Sequence, residues 1–390
     1  MRTLVAGGRV LTPAALLPDH AVVMEDGRIV SITRGRPEGS FDRVIDASGM
    51  WVVPGFIDVH VHGGDGFDAM DATPEALLGM GRFFARHGVT AYYATTTSAP
   101  ADSILAAIET VMTTPQPRDG ARHLGVHVEG PYLNPAHCGA QQVSDMRDPD
   151  PEEYGNWLES GVVKLVTVAP ERPGVMEFIR EGAREGVEFA VGHSGASYEQ
   201  MLEAANHGLR QATHTYNGML GLHHREPGTL GAIMTDDRIY GQLICDGIHV
   251  HPAMVKLLIR AKGAARTILI TDSIRAAGLP DGEYDIGDGQ IATVRNGIVR
   301  VPSGSLAGST LTMDAAVRNA IAFTGMSLQE MLPMATSVPA EAMGLAGKKG
   351  VLAVGADADL VLLDPDLCVR MTLVAGEVVY RAGQEAASVG

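Results

Sequence analysis

Five short stretches of this 390-residue chain carry side chains able to bind a metal ion or a proton, each at the end of an apolar, β-like run. They are His60-Val61-His62, Glu129-Gly130-Pro131, Gly192-His193-Ser194, Thr213-His214-Thr215 and Thr271-Asp272-Ser273. In a strand, residues two apart project from one face, so His60 and His62 can both reach one ion. Adding Glu129, His193, His214 and Asp272 assembles nitrogen and oxygen donors of the kind that suits zinc first, with iron, manganese or cobalt as alternatives. A lone histidine is more often a core or surface residue than a ligand, and the chain has 14 of them. The recurrence at the ends of five separate strand-like runs separates this set from chance.

A divalent ion held this way lowers the pKa of water to about 7 and polarises a carbonyl oxygen. Asp272 is then placed to take a proton from the water and pass it to a leaving amine, which is the equipment of C–N bond hydrolysis. Two plainer roles stand beside that one: a simple metal ligand, or the N-cap of a following helix.

These residues need a scaffold that brings strand ends together. The chain holds eight apolar, β-branched-rich runs: GFIDVHVHG, GVTAYYATTTS, HLGVHVEGP, VVKLVTVAPE, VEFAVGHSGA, LRQATHTYNG, YGQLICDGIHV and TILITDS. Helix-like segments lie between most of them, including PEALLGMGRFFARHG and SYEQMLEAANHG, the second closed by Gly208. Near-continuous apolar strands alternating with helices predict an α/β fold, a parallel (β/α)8 TIM barrel over residues 54–340 with its chemistry at the C-terminal strand ends. Asn296-Gly297 within IATVRNGIVRV predicts an inserted hairpin after the eighth strand. Both chain ends read as β: Asp26-Gly27 is a hairpin turn signal, and Gly376-Glu377 marks a turn near the other end. Residues 1–53 and 341–390 are therefore expected to form one small, discontinuous β-sandwich domain into which the barrel is inserted.

Composition narrows the function classes. With 45% hydrophobic and 19% charged residues the chain can bury a large core. Its 30 Lys+Arg against 46 Asp+Glu give a net charge of −16, which argues against nucleic acid or an anionic membrane as partner. No apolar run approaches the roughly 18 residues of a membrane helix, and Gly7, Gly8 and Arg9 interrupt any signal-like core, so a cytoplasmic protein is expected. Three widely spaced cysteines, Cys138, Cys245 and Cys368, build neither a disulfide framework nor a zinc knuckle.

The order H-x-H, Glu, His, His, Asp resembles the amidohydrolase superfamily. The stretches PGFIDVHVHGGDGFD, HVEGPYLNP, KLVTVAPE, GHSGA, THTYNGM, REPG, DGIHV, TDSIRAAGLPDG and SLAGST resemble, within it, the N-acetylglucosamine-6-phosphate deacetylase family. The resemblance spans nearly the whole barrel and implies one or two divalent ions per subunit. By it, Glu129, His193 and His214 are metal ligands, with Glu129 where many relatives use a carboxylated lysine. His60 and His62 are the pair for a second ion, and Asp272 is the catalytic acid/base. It further implies that Ala140, Gln141, Asn217, Gly218, Arg225, Asp246, Gly247, Ile248, His249, Leu306, Ala307 and Gly308 line a sugar-phosphate pocket. Arg225 offers a planar fork of donors suited to phosphate, and Gly218 allows close backbone approach; pairing of Arg225 with Glu226 is the plainer alternative. Relatives in which the phosphate-binding arginine comes from a neighbouring subunit imply a homodimer with the phosphate site near the interface.

Gln141 stands where some relatives have a histidine, and it can donate a neutral N–H but supply no proton. Cys138, in the loop after the third strand, reads as a reactive thiol, an adventitious ligand or an inert buried residue. The expected reaction is hydrolysis of an N-acetylglucosamine 6-phosphate acetamide, with metal-bound hydroxide as nucleophile. A galacto epimer is the alternative substrate. A cyclic amide would call for a carboxylated lysine, and Lys164 lies too early in the fourth strand to serve. A non-catalytic scaffold would show eroded ligands, and none is eroded here.

Overall fold

The computed structural model describes residues 1–287 and 289–383. Eight strands run parallel in sequence order around the barrel: Phe56–Val61, Val89–Thr95, Arg122–Glu129, Val163–Val168, Glu188–Val191, Leu209–Ala212, Tyr240–Ile244 and Thr267–Ile270. They coincide with the eight apolar runs of the sequence. Most of their residues are buried because helices cover the outer surface while side chains fill the interior. The last strand meets the first at the C-terminal rim. There the Asp272 N–H donates to the His60 carbonyl at 3.0 Å, and the His62 and Gly63 N–H groups both donate to the Ser273 carbonyl at 2.9 Å.

A helix follows each strand. The first, Pro74–Arg86, starts at an N-cap Thr73 whose side chain accepts from the Ala76 N–H. Tyr198–His207 begins with a reciprocal capping box between Ser197 and Gln200 and ends, as expected, at Gly208 with φ 129°. Between the eighth strand and its helix, Met313–Thr324, the chain makes a three-stranded antiparallel sheet, Gly282–Asp285, Ile291–Arg295 and Ile298–Arg300. The expected hairpin is its second half, turning at Asn296-Gly297 with φ 50° and 72°. The additional strand is an edge of alternating half-buried and exposed residues, too polar to announce itself. This insert has its own core, in which Ala292, Val294 and Val299 pack on Ile274 and Ala307.

The chain ends share one eight-stranded sheet, in which Leu360–Leu363 pairs antiparallel with Trp51–Pro54 and so joins the two termini. Strand Arg2–Leu11 switches partner along its length, from Arg43–Asp46 to Trp51–Pro54, across an irregularity at Gly7-Gly8. A Cβ at Gly8 would stand 2.6 Å from Val52, so this crossing needs glycine. One layer of the sheet encloses Val22, Met24, Ile29, Val52, Leu360 and Leu373, while Leu11, Val53, Val361 and Leu363 face the barrel core. The C-terminal hairpin turns one residue earlier than the sequence indicates, at Ala375-Gly376, both with positive φ. Among the described residues no helix is long and apolar enough to cross a membrane.

The ring of helices is closed by a hydrogen bond between His87 and Asp314. Asp314, at the start of the eighth barrel helix, accepts from His87 at 3.0 Å and Arg318 at 2.9 Å. His87 caps the end of the first helix. Burial alone would raise the Asp314 carboxyl, but His87 and the other partners outweigh it and hold it well below the ordinary range. A carboxylate with a depressed folded pKa stabilises above its unfolded pKa of about 4, and that stabilisation is lost as pH falls further. Asp314→Ala is expected to cost about 2 kcal/mol at pH 7, between the roughly 0–1 of exposed pairs and the roughly 3–5 of buried ones. Denaturant midpoints from pH 7 to pH 3 check this: the gap between wild type and variant should close only below about pH 4.

Candidate metal centre and active site

The C-terminal rim places all five sequence motifs around one point. His60 lies fully buried at the end of the first strand, with His62 above it, and their Nε2 atoms are 3.2 Å apart. Glu129 projects from the third strand between two histidine sets. Its Oε1 lies 3.0 Å from His214 Nε2 and 3.4 Å from His193 Nε2, and its Oε2 lies 3.3 Å from His62 Nε2. His193 and His214 face each other at 3.1 Å. Asp272 Oδ1 is 3.3 Å from both His60 Nε2 and His62 Nε2.

Two donor triads result, His60–His62–Glu129 and Glu129–His193–His214, each with ligand atoms within 4.8 Å of one another. Opposed imidazole nitrogens at these distances need a proton or a cation between them, so the donor set fits a divalent ion. The Nδ1 of His193 lies 2.9 Å from the His137 carbonyl, which makes that nitrogen the N–H donor and leaves Nε2 free to coordinate.

Electrostatics follow from this crowding. Burial raises the Glu129 carboxyl, but the facing histidines overcome it and hold it well below the ordinary value. Burial likewise pulls His60 down, yet Glu129 and Asp272 push it up to about 9. Asp272 is lowered by His60 and His62 against the effect of burial, which favours its ionised form. His127, buried beside His60, is driven well below its ordinary value by burial and by its charged neighbours.

The backbone at the site is strained. His193, His214 and Asp272 have φ of 47°, 31° and 51°, in the left-handed region that non-glycine residues avoid. Each such conformation costs on the order of 1–3 kcal/mol and persists where surrounding structure holds it. Gly308 contributes: a Cβ there would meet the Asp272 carbonyl at 2.9 Å. The Ser309 N–H donates to that same carbonyl at 2.7 Å.

Above the cluster opens a cavity of about 360 Å³. Of the residues expected to line a pocket, Ala140, Gln141, Asn217, Gly218, His249, Leu306, Ala307 and Gly308 do so. Asp246 stands behind the wall, holding His249 by a 2.6 Å contact to Nδ1. Gly247 and Ile248 are exposed beside it. Arg225 does not reach this cavity; it sits on an exposed loop with Nη1 2.8 Å from His224 Nε2. Lys164 is exposed on the fourth strand and offers no carboxylated-lysine bridge. Cys138 is partly buried next to Gly139, which lines the cavity.

Several site residues carry no role in the sequence reading. Glu171, just past the fourth strand, accepts from Asn134 Nδ2 at 2.8 Å, Ser194 Oγ at 2.7 Å and the Gly195 N–H at 2.6 Å. It thereby ties the loop after the third strand to the one bearing His193. Asp58, pushed up to about 7 by burial, accepts from Thr271 Oγ1 at 2.5 Å and joins the first strand to the eighth beneath the histidines. Asp68, Thr97, Ser98, Gln142 and Gln290 line the cavity. Applying the strand-end rule to the second and fourth strands would have found Thr97, Ser98 and Glu171; Asp58 lies inside the first strand and shows its role only through Thr271, and the rest depend on loops meeting.

The model of the amidohydrolase family matches residues 51–379, which include both histidine sets, Glu129 and Asp272. The chain belongs to the amidohydrolase family. This amidohydrolase is 39% identical over 360 residues to an N-acetylglucosamine-6-phosphate deacetylase of Lysinibacillus sphaericus, covering 92% of each chain. It is 38% identical over 373 residues to an N-acetylgalactosamine-6-phosphate deacetylase of Escherichia coli O157:H7, covering 95% of this chain and 97% of the relative. Its fold superposes on the crystal structure of the N-acetyl-D-glucosamine-6-phosphate deacetylase of Mycobacterium smegmatis with a TM-score of 0.90 at 37% identity, covering 97% of this chain and all of the other.

Proposed function

We propose that this amidohydrolase hydrolyses the acetamide of N-acetyl-D-glucosamine 6-phosphate to D-glucosamine 6-phosphate and acetate. The carrying observation is the Asp272 carboxyl, 3.3 Å from two histidines of a five-ligand cluster, on the floor of a cavity of sugar size. The likeness to deacetylases across almost the whole chain supports the same reading.

Glu129, His193 and His214 would hold one divalent ion, zinc as the first choice, and His60 and His62 with Glu129 a second. Such an ion supplies an acidic, nucleophilic water and polarises the acyl oxygen. Asp272 takes the proton from the attacking water as its oxygen bonds to the acetyl carbon. It returns that proton to the sugar nitrogen as the C–N bond breaks, leaving an amine and acetate.

Among the described residues the cavity lining has no lysine or arginine, and His249 is its one imidazole beyond the cluster. A phosphate there calls for a cation from elsewhere. Arg225 lies on an exposed loop with Leu220 and Leu222, which are 49% and 55% exposed. In a homodimer with that loop at the interface, Arg225 of each chain would serve the phosphate in the other's cavity. A cytoplasmic setting belongs to the same reading, given a phosphorylated substrate and three unpaired cysteines.

The epimer is a second reading, favoured by the 38% identity to an N-acetylgalactosamine-6-phosphate deacetylase. Acetate release by zinc-loaded protein decides between them, measured in parallel on N-acetylglucosamine 6-phosphate, its galacto epimer and unphosphorylated N-acetylglucosamine. The proposal expects the first to lead in kcat/KM, by at least about tenfold over the unphosphorylated sugar, the equivalent of about 1.4 kcal/mol. A lead by the epimer would transfer the substrate, and equal rates with and without phosphate would remove Arg225 and His249 from recognition.

A further inference from the structure

Gln141 lines the cavity, yet its amide is already committed. Its Oε1 accepts from the Ser98 N–H at 2.7 Å and from Thr97 Oγ1 at 2.7 Å. A backbone N–H can only donate, so the oxygen end of the amide must face Ser98. The nitrogen end is thereby turned onto Glu129, where Nε2 donates to Oε2 at 2.8 Å. The second-strand end, through Gln141, thus grips the carboxylate that the third strand supplies.

We propose that Gln141 is a positioning residue for Glu129, and that it sets how firmly the His60–His62 side of the cluster retains an ion. Terminal torsions of glutamate are soft, and the two oxygens of Glu129 have different tasks. Oε1 faces His193 and His214 and lies 3.6 Å from His60, while Oε2 faces His62. A rotation of the carboxyl plane would withdraw Oε2 from His62. Gln141 blocks that rotation, occupying one acceptor direction of Oε2 and leaving the other toward His62. An amide does this without adding charge to a cluster that already sets four imidazoles against two carboxylates.

The inference rests on Glu129 being a metal ligand, and its test separates the two. Gln141→Met keeps the length of the side chain but loses both the donor to Glu129 and the acceptor for Ser98 and Thr97; Gln141→Leu loses both and shortens it. Circular dichroism and the thermal midpoint of metal-free protein check that each variant folds. Zinc alone is then titrated by equilibrium dialysis against buffered free zinc, with ions per chain counted by elemental analysis. Changes to groups that orient a ligand typically cost about 10–100-fold in metal affinity. The expected result is two ions per wild-type chain and, in both variants, a second ion weakened by about that factor. The first ion should change by less than about threefold, and the visible spectrum of cobalt-loaded protein should shift. In the activity assay kcat should fall more than KM rises. Unchanged zinc affinities with a raised KM would overturn the inference and make Gln141 a substrate contact. A wild-type chain that takes up a single ion would overturn the His60–His62 assignment. One that takes up none would overturn the metal reading itself.

Discussion

Asp272→Asn is expected to lower kcat by about 10²–10⁴-fold, the usual contribution of a positioned acid/base, while the chain still folds and still takes up metal. Asparagine suits this test for two reasons. It matches aspartate in shape, and it is among the non-glycine residues most tolerant of the left-handed backbone that Asp272 adopts at φ 51°. It keeps an oxygen toward His60 and His62 but can neither take a proton from water nor return one to the amine. KM should move little, since Asp272 sits at the cavity floor beside the histidines. The check is kcat, KM and ions per chain measured on one preparation. Turnover within about threefold of wild type would take Asp272 off the proton's path and leave it as a partner of the histidines alone.

The barrel was legible because parallel strands buried on both faces cannot hide their apolar runs. The inner histidine cluster was legible because a strand alternates sides, which puts His60 and His62 together whatever else the chain does. What stayed hidden depended on contacts between distant loops. Glu171 has no local pattern that names Asn134 and Ser194 as its partners, and Gln141 reveals its committed amide only once Thr97, Ser98 and Glu129 surround it. Arg225 shows a different limit. Its side-chain chemistry suits phosphate, but chemistry alone does not place a loop, and within one chain Arg225 is exposed and does not line the cavity. Partner switching by strand Arg2–Leu11 was beyond reach for a similar reason. Pairing with two different strands about 40 residues further on is set by packing in the folded sheet, and the sequence marks it only by Gly7 and Gly8. The strained backbone at His193, His214 and Asp272 has no sequence signature either, because none is the glycine that would flag a positive φ.

Glu129→Gln is expected to have the larger effect on metal. Glu129 is the one carboxylate shared by both donor triads, and its two oxygens answer four imidazoles. An amide of the same size keeps the packing but removes the charge, leaving Asp272 as the cluster's remaining anion. Removing one member of a buried charge cluster typically costs roughly 3–5 kcal/mol, on the order of 10²–10³-fold or more in affinity. Zinc content after dialysis should therefore fall toward zero in this variant, whereas Asp272→Asn retains its ions. Activity separates the two in the same direction. Wild-type protein stripped with a chelator should lose turnover and regain it when zinc is returned, while Glu129→Gln should stay inactive at any zinc concentration that restores the wild type. Full zinc retention by Glu129→Gln would mean that the four histidines hold the ion unaided. Glu129 would then serve to keep those histidines apart and correctly protonated, and the anchoring of its carboxylate by Gln141 would have to be read as support for the imidazoles instead of for the metal.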